Sequence, residues 1–112
     1  MASRQKTKKN PFLVLSTAPT QKEAERLAQK LLNQKLAACI NILYPAVSFF
    51  SWKGKREKVR EALLVIKTTA SQFKKIESLF RKFHSYEVPE LIGWPITKGS
   101  APYLTWLRDS VR

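Results

Sequence analysis

Two side chains in this sequence have the chemistry of a metal ligand. They are Cys39 and His84, each the sole residue of its kind. A thiolate suits soft ions such as Cu(I), and neutral imidazole is a common ligand for copper or zinc. Each residue also has a plainer role. Cys39 lies between Ala38 and Ile40 in an apolar stretch, where a free cysteine often serves as a small buried hydrophobe. His84 falls at the end of an expected helix, where a protonated ring would favour the dipole. A nucleophile–base pair would need the two to meet beside an orienting group, and spacing along the chain does not provide that. The three glycines lie far apart, so there is no phosphate-cradling loop. Neither Cys-x-x-Cys nor His-Glu-x-x-His occurs. No catalytic residue is expected.

The elements that must position these groups follow from the apolar pattern. Residues 12–16 are an apolar run that reads as a buried strand, closed by Ala18 and Pro19. Thr20 with Glu23 three residues on predicts a capping box. Ala24, Leu27, Ala28, Leu31 and Leu32 then recur at helical spacing, with Leu36 close behind. Residues 38–52 read as extended, with Pro45 at a bulge or on an edge. Lys53, Gly54 and Lys55 supply a turn, and a second extended segment peaks at Leu63, Leu64, Val65 and Ile66. Thr69 or Ser71 caps a second helix, with Phe73, Ile76, Leu79, Phe80 and Phe83 on its inner face. That helix ends at His84, Ser85 and Tyr86.

Val88 before Pro89 is an extended step. Residues 91–94 read as a fourth core strand, ended or placed on an edge by Pro95. Ser100 caps a last helix, with Pro102 in its first turn. Tyr103, Leu104, Trp106, Leu107 and Val111 give that helix an apolar side. The order predicts an α+β, ferredoxin-like (βαββαβ) fold with an extended central hairpin and a short C-terminal helix. The domain should span 11–112, behind a flexible basic arm over 1–10.

The hairpin points beyond one chain. About fifteen residues of strand span roughly 50 Å at about 3.3 Å each, whereas a domain of this size has a radius of about 13 Å. Phe49, Phe50 and Trp52 sit at its tip and are costly to leave in water. A projecting apolar hairpin calls for another copy of the chain.

Length and charge set the remaining bounds. The chain has 112 residues, enough for one domain and one core. A single cysteine closes no internal disulfide, so a reducing, cytoplasmic setting is expected. No apolar run reaches signal-peptide or membrane-helix length, so no membrane partner is expected. Lys and Arg number 21 against 8 acids, a formal charge of +13. Such a surface attracts anions. Here the cations are spread over a tail, the helices and a hairpin turn, which suits a solvated surface, and nucleic-acid binding is not expected.

Several strings in order resemble the CutA divalent-cation-tolerance family. They are Leu15-Ser16-Thr17-Ala18-Pro19, Leu36-Ala37-Ala38-Cys39-Ile40-Asn41-Ile42, and Trp52-Lys53-Gly54-Lys55. Next come Glu61-Ala62-Leu63-Leu64-Val65-Ile66-Lys67-Thr68 and His84-Ser85-Tyr86-Glu87-Val88-Pro89-Glu90-Leu91, and last Tyr103-Leu104-Thr105-Trp106-Leu107. The match runs over about residues 12–111. The resemblance implies a homotrimer with interlocked sheets, a role linked to copper and other divalent metals, and kinship with the PII-type signalling fold.

Some family members carry Cys where this chain has Ser16 and a second His where it has Phe83, both proposed ligands there. Here His84 remains, with Glu87 or Glu90 available at a subunit boundary. Trp52, Glu61, Lys67, Tyr86 and Glu90 fall in the family's recurrent motifs. A Glu–Lys pair beside aromatics could hold a small anion or organic ligand in an intersubunit cleft. It could equally be a charge network that fixes the interface. Lys67, Arg60 and Lys55 clustered at a groove would favour a nucleotide.

Overall fold

The computed structural model describes residues 9–112. Strand β1 (Pro11–Ala18) sends Val14, Ser16 and Ala18 to one side, fully buried, and leaves Leu13 and Leu15 half-buried on the other. Helix α1 (Gln21–Asn33) starts at Thr20, whose Oγ1 accepts the Glu23 N–H at 3.1 Å. The capping box is half made. The Glu23 carboxylate turns away and accepts the Ser85 N–H at 2.9 Å. Ala24, Leu27, Ala28 and Leu31 are buried, while Leu32 lies off that stripe and is exposed.

Strands β2 (Cys39–Trp52) and β3 (Lys55–Thr69) form the long hairpin. Lys53 and Gly54 both have positive φ, 51° and 78°. Two such residues make the turn whose twist matches that of paired strands, and glycine adopts it without strain. The register shifts between Leu43 and Ala46, at Pro45, as expected for a bulge. Strand β4 (Ile92–Pro95) pairs with the other edge of β1. The sheet order is β2-β3-β1-β4, with every neighbour antiparallel. This is the α+β ferredoxin-like arrangement that the element order predicts.

A 3-10 turn over Ala70–Gln72 leads into α2 (Phe73–Phe83). Ser71 Oγ meets Thr69 Oγ1 at 2.9 Å, so the two hydroxyls bond each other and neither caps α2. Ile76, Leu79 and Phe80 are buried against the sheet. Phe83 departs from the expected inner face. It is 43% exposed, with Lys30 Nζ 4.1 Å from its ring centre. Helix α3 (Ala101–Ser110) buries Leu107, and Val111 beyond it, but leaves Tyr103 and Trp106 outside. Of the arm expected over 1–10, residues 1–8 lie outside the described residues. The Asn10 carbonyl accepts the Ala70 N–H at 2.9 Å, and Lys9 Nζ donates to the Val111 carbonyl at 2.9 Å.

The helices cover one face of the sheet. The other face carries no helix. Cross-strand pairs put Leu43 opposite Leu63 and Leu13 opposite Trp94 on that face. Leu15 and Val65 share it. β4 is therefore not a core strand within one chain. Ile92 and Trp94 stand on the open side and are exposed. The molecule measures 48 × 27 × 26 Å, elongated as a projecting hairpin requires.

Candidate functional site

The site begins where α2 stops. His84 caps the helix in extended conformation, and the chain then passes over the end of β1. Four side-chain hydrogen bonds hold it there. The His84 ring is buried, with Nε2 2.7 Å from the Thr17 carbonyl. Its Nδ1 accepts the Tyr86 N–H at 3.0 Å, which leaves Nε2 to donate to Thr17. Ser16 Oγ donates to the Glu90 carbonyl at 2.6 Å. Glu23 adds its bond to the Ser85 N–H and lies 3.6 Å from His84 Nδ1.

This anchored segment presents Tyr86 to β3. The Tyr86 phenol donates to Glu61 Oε2 at 2.7 Å. Burial, followed by the bond to Glu61 and the charges of Glu61 and Glu23, pushes the phenol well above its ordinary value. Glu61 itself is buried, on the sheet face away from the helices.

Between this segment and the hairpin lies a cavity of about 720 Å³. Trp52, Glu61, Tyr86 and Glu90 line it together. Lys67 and Cys39 do not join them. Lys67 pairs with Cys39 in the β2–β3 register, whereas Glu61 pairs with Ala46 beyond the bulge. Lys67 Nζ instead donates to Asn41 Oδ1 at 2.7 Å, and Cys39 Sγ is 3.8 Å from the same oxygen. Within one chain the Glu61–Lys67 pair does not form. Cys39 is half-buried and stands on the open face with Lys67, not inside the core. Glu57 also lines the cavity, a position outside the candidate residues of the sequence. Its signal is the two-residue period of β3, which places Glu57, Val59 and Glu61 on one face.

Residues 12–110 match the model of the CutA1 divalent ion tolerance protein family. The chain is 41% identical over 100 residues to the divalent-cation tolerance protein CutA of Citrobacter koseri, across 89% of this chain and 87% of that one. It superposes on CutA1 from Oryza sativa with a TM-score of 0.89 at 38% identity, over 92% of this chain and 94% of that one. For the divalent cation tolerance protein Cut A1 of Thermus thermophilus the TM-score is 0.88 at 36% identity, over 91% and 99%. This chain belongs to the CutA1 family.

The family's name raises the question of a metal site. Among the described residues, no group of three His, Cys, Asp or Glu side chains is placed to hold an ion. Both nitrogens of His84 are engaged, so neither offers a free lone pair. Ser16 and Phe83 supply no thiol or imidazole. A closed metal site within one copy of this CutA1-family chain does not fit the described residues.

Proposed function

We propose that this CutA1-family chain acts in divalent-metal tolerance as a homotrimeric binding protein, not a catalyst. Its ligand occupies the cleft framed by Trp52, Glu61, Tyr86 and Glu90, at the boundary between subunits. One observation carries this reading. Buried Glu61, bonded to half-buried Tyr86, lines a cavity that opens beside an uncovered apolar sheet face. A second copy of the chain on that face would enclose the cleft.

Copper or another divalent ion enters as cargo. Weak capture would use the exposed carboxylates Glu87 and Glu90 at the boundary. His84 would join after giving up its bond from the Tyr86 N–H. Cys39 could serve as a soft ligand at the far end of the open face. No Lys or Arg among the described residues lines the cavity, so those residues offer no cation there to hold a small anion or nucleotide. Cys39 Sγ lies beside Asn41 on β2, whereas the His84 ring at the end of α2 bonds to Thr17 and Tyr86, so no contact joins the two as nucleophile and base. No helix among the described residues is long and apolar enough to cross a membrane. A reducing, cytoplasmic setting fits the free thiol of Cys39.

The test is solution mass together with thermal unfolding of the reduced protein, with and without Cu(II), Zn(II) and ATP. A ligand that binds the folded state alone stabilises it by about 2.7 kcal/mol at a hundredfold excess over its dissociation constant. The reading expects a trimer whose midpoint rises with a divalent ion, with the rise lost in Glu90→Gln. A monomeric mass, or a rise that survives Glu90→Gln unchanged, would sink it.

A further inference from the structure

The charge of the cavity runs against the charge of the chain. No Lys or Arg among the described residues lines it, yet four of the 8 acids do: Glu57, Glu61, Glu87 and Glu90. Glu61 is the telling one. It is 5% exposed, and its Oε2 takes the Tyr86 phenol. Its Oε1 has no donor among the described residues and is not sealed off, so it opens on the cavity. No Lys, Arg or His among the described residues pairs with it. A carboxylate this deep ordinarily has a cation against it, because an unpaired buried charge is costly.

The walls beside Glu61 are aromatic. Ring faces attract cations, and the hairpin tip already does this on its own account. Lys53 Nζ lies 5.8 Å from the Trp52 ring centre, and Lys58 Nζ 5.6 Å from that of Phe49. At about 720 Å³ the cavity suits a small organic molecule and far exceeds a bare ion.

We propose that the cleft binds a small organic cation. Its ammonium or guanidinium head sits against Glu61 Oε1, and its apolar body lies on Trp52 and Tyr86. The inference rests on the cleft reading above. Tyr86 holds Oε2, which fixes the Glu61 carboxylate and leaves Oε1 for the ligand. Glu57, Glu87 and Glu90 supply a local negative field, which a cation needs in order to approach a chain of charge +13. A planar guanidinium matches this arrangement best, since it pairs with carboxylates and stacks on rings at once.

The experiment is isothermal titration of the full chain, reduced and free of metal, with agmatine as probe and ATP as counter-probe. Agmatine should bind saturably at one site per chain. Glu61→Gln should weaken it at least about tenfold, as loss of a charge-assisted bond does. Glu87→Gln, at an exposed position that does not disturb folding, should weaken it about threefold through the field alone. Absence of saturable binding by agmatine and by tetramethylammonium overturns the inference. So does ATP binding that Glu61→Gln strengthens. In either case the cleft reading survives if Cu(II) or ATP still binds and Glu90→Gln alters that binding. If no ligand of any class binds there, both fall.

Discussion

Tyr86 holds its proton because ionising it would set a phenolate against the Glu61 carboxylate in a partly dry site. Its folded value lies above the ordinary 10.0 of the unfolded chain. The sign follows from linkage. The contribution of Tyr86 to stability is complete below the unfolded value and is lost as pH rises through the folded one. At about pH 11 the folded protein should therefore show less tyrosinate absorbance than the unfolded chain. Glu61→Gln should recover part of the difference, since it removes the facing charge but not the burial. Equal absorbance in folded and unfolded protein would show that Tyr86 is not held this way. Glu61 and Tyr86 were legible in the sequence as members of recurrent strings, but their bond was not. They lie far apart in sequence, and the loop that joins them is placed by His84 and Ser16, whose partners are backbone carbonyls. Side chains that bond to backbone carbonyls leave no pairwise pattern in sequence. The His84 imidazole, a potential metal ligand by type, spends both nitrogens on fastening the loop.

Among the elements, β4 is the short one and depends on close packing. Gly93 stands opposite Val14 in the β1–β4 register. A Cβ there would lie 2.5 Å from Phe12 Cε2 and 3.0 Å from the Leu13 carbonyl oxygen. The ring could shift, but the backbone oxygen cannot without moving β1. Gly93→Ala should cost about 1–3 kcal/mol, in the range of overpacked cores, measured by urea unfolding. Hydrogen exchange should show the loss concentrated in the β4 amides. A neutral substitution would mean that β4 is already loose. Periodicity made most elements readable, including the hairpin, the Pro45 irregularity and the Thr20 cap. It failed at Phe83, Trp94, Tyr103 and Trp106, all apolar and all exposed within one chain. A repeat of two or of about three and a half residues shows which residues share a face. It cannot show what covers that face, and for β4 nothing in the same chain does.

At the scale of the whole molecule, two opposing terms decide assembly. The open sheet face offers Leu13, Leu15, Leu43, Leu63, Val65 and Trp94 as apolar area, a patch that invites association. Against it stands a charge of +13 per chain, which makes copies repel. Trp94→Glu puts a carboxylate into the proposed interface and should convert the proposed trimer to monomer in sedimentation. Tyr103→Ser, on α3 and equally exposed, should leave the mass unchanged. The salt dependence separates the two terms further. If apolar burial drives association and net charge opposes it, added salt screens the repulsion, since the Debye length falls from about 10 Å at 0.1 M to about 3 Å at 1 M. The proposed trimer should then tighten as salt rises. Dissociation on adding salt would mean that ion pairs between copies hold the assembly. Glu61 and Lys67, which do not meet within one chain, would be the first residues to test as such a pair.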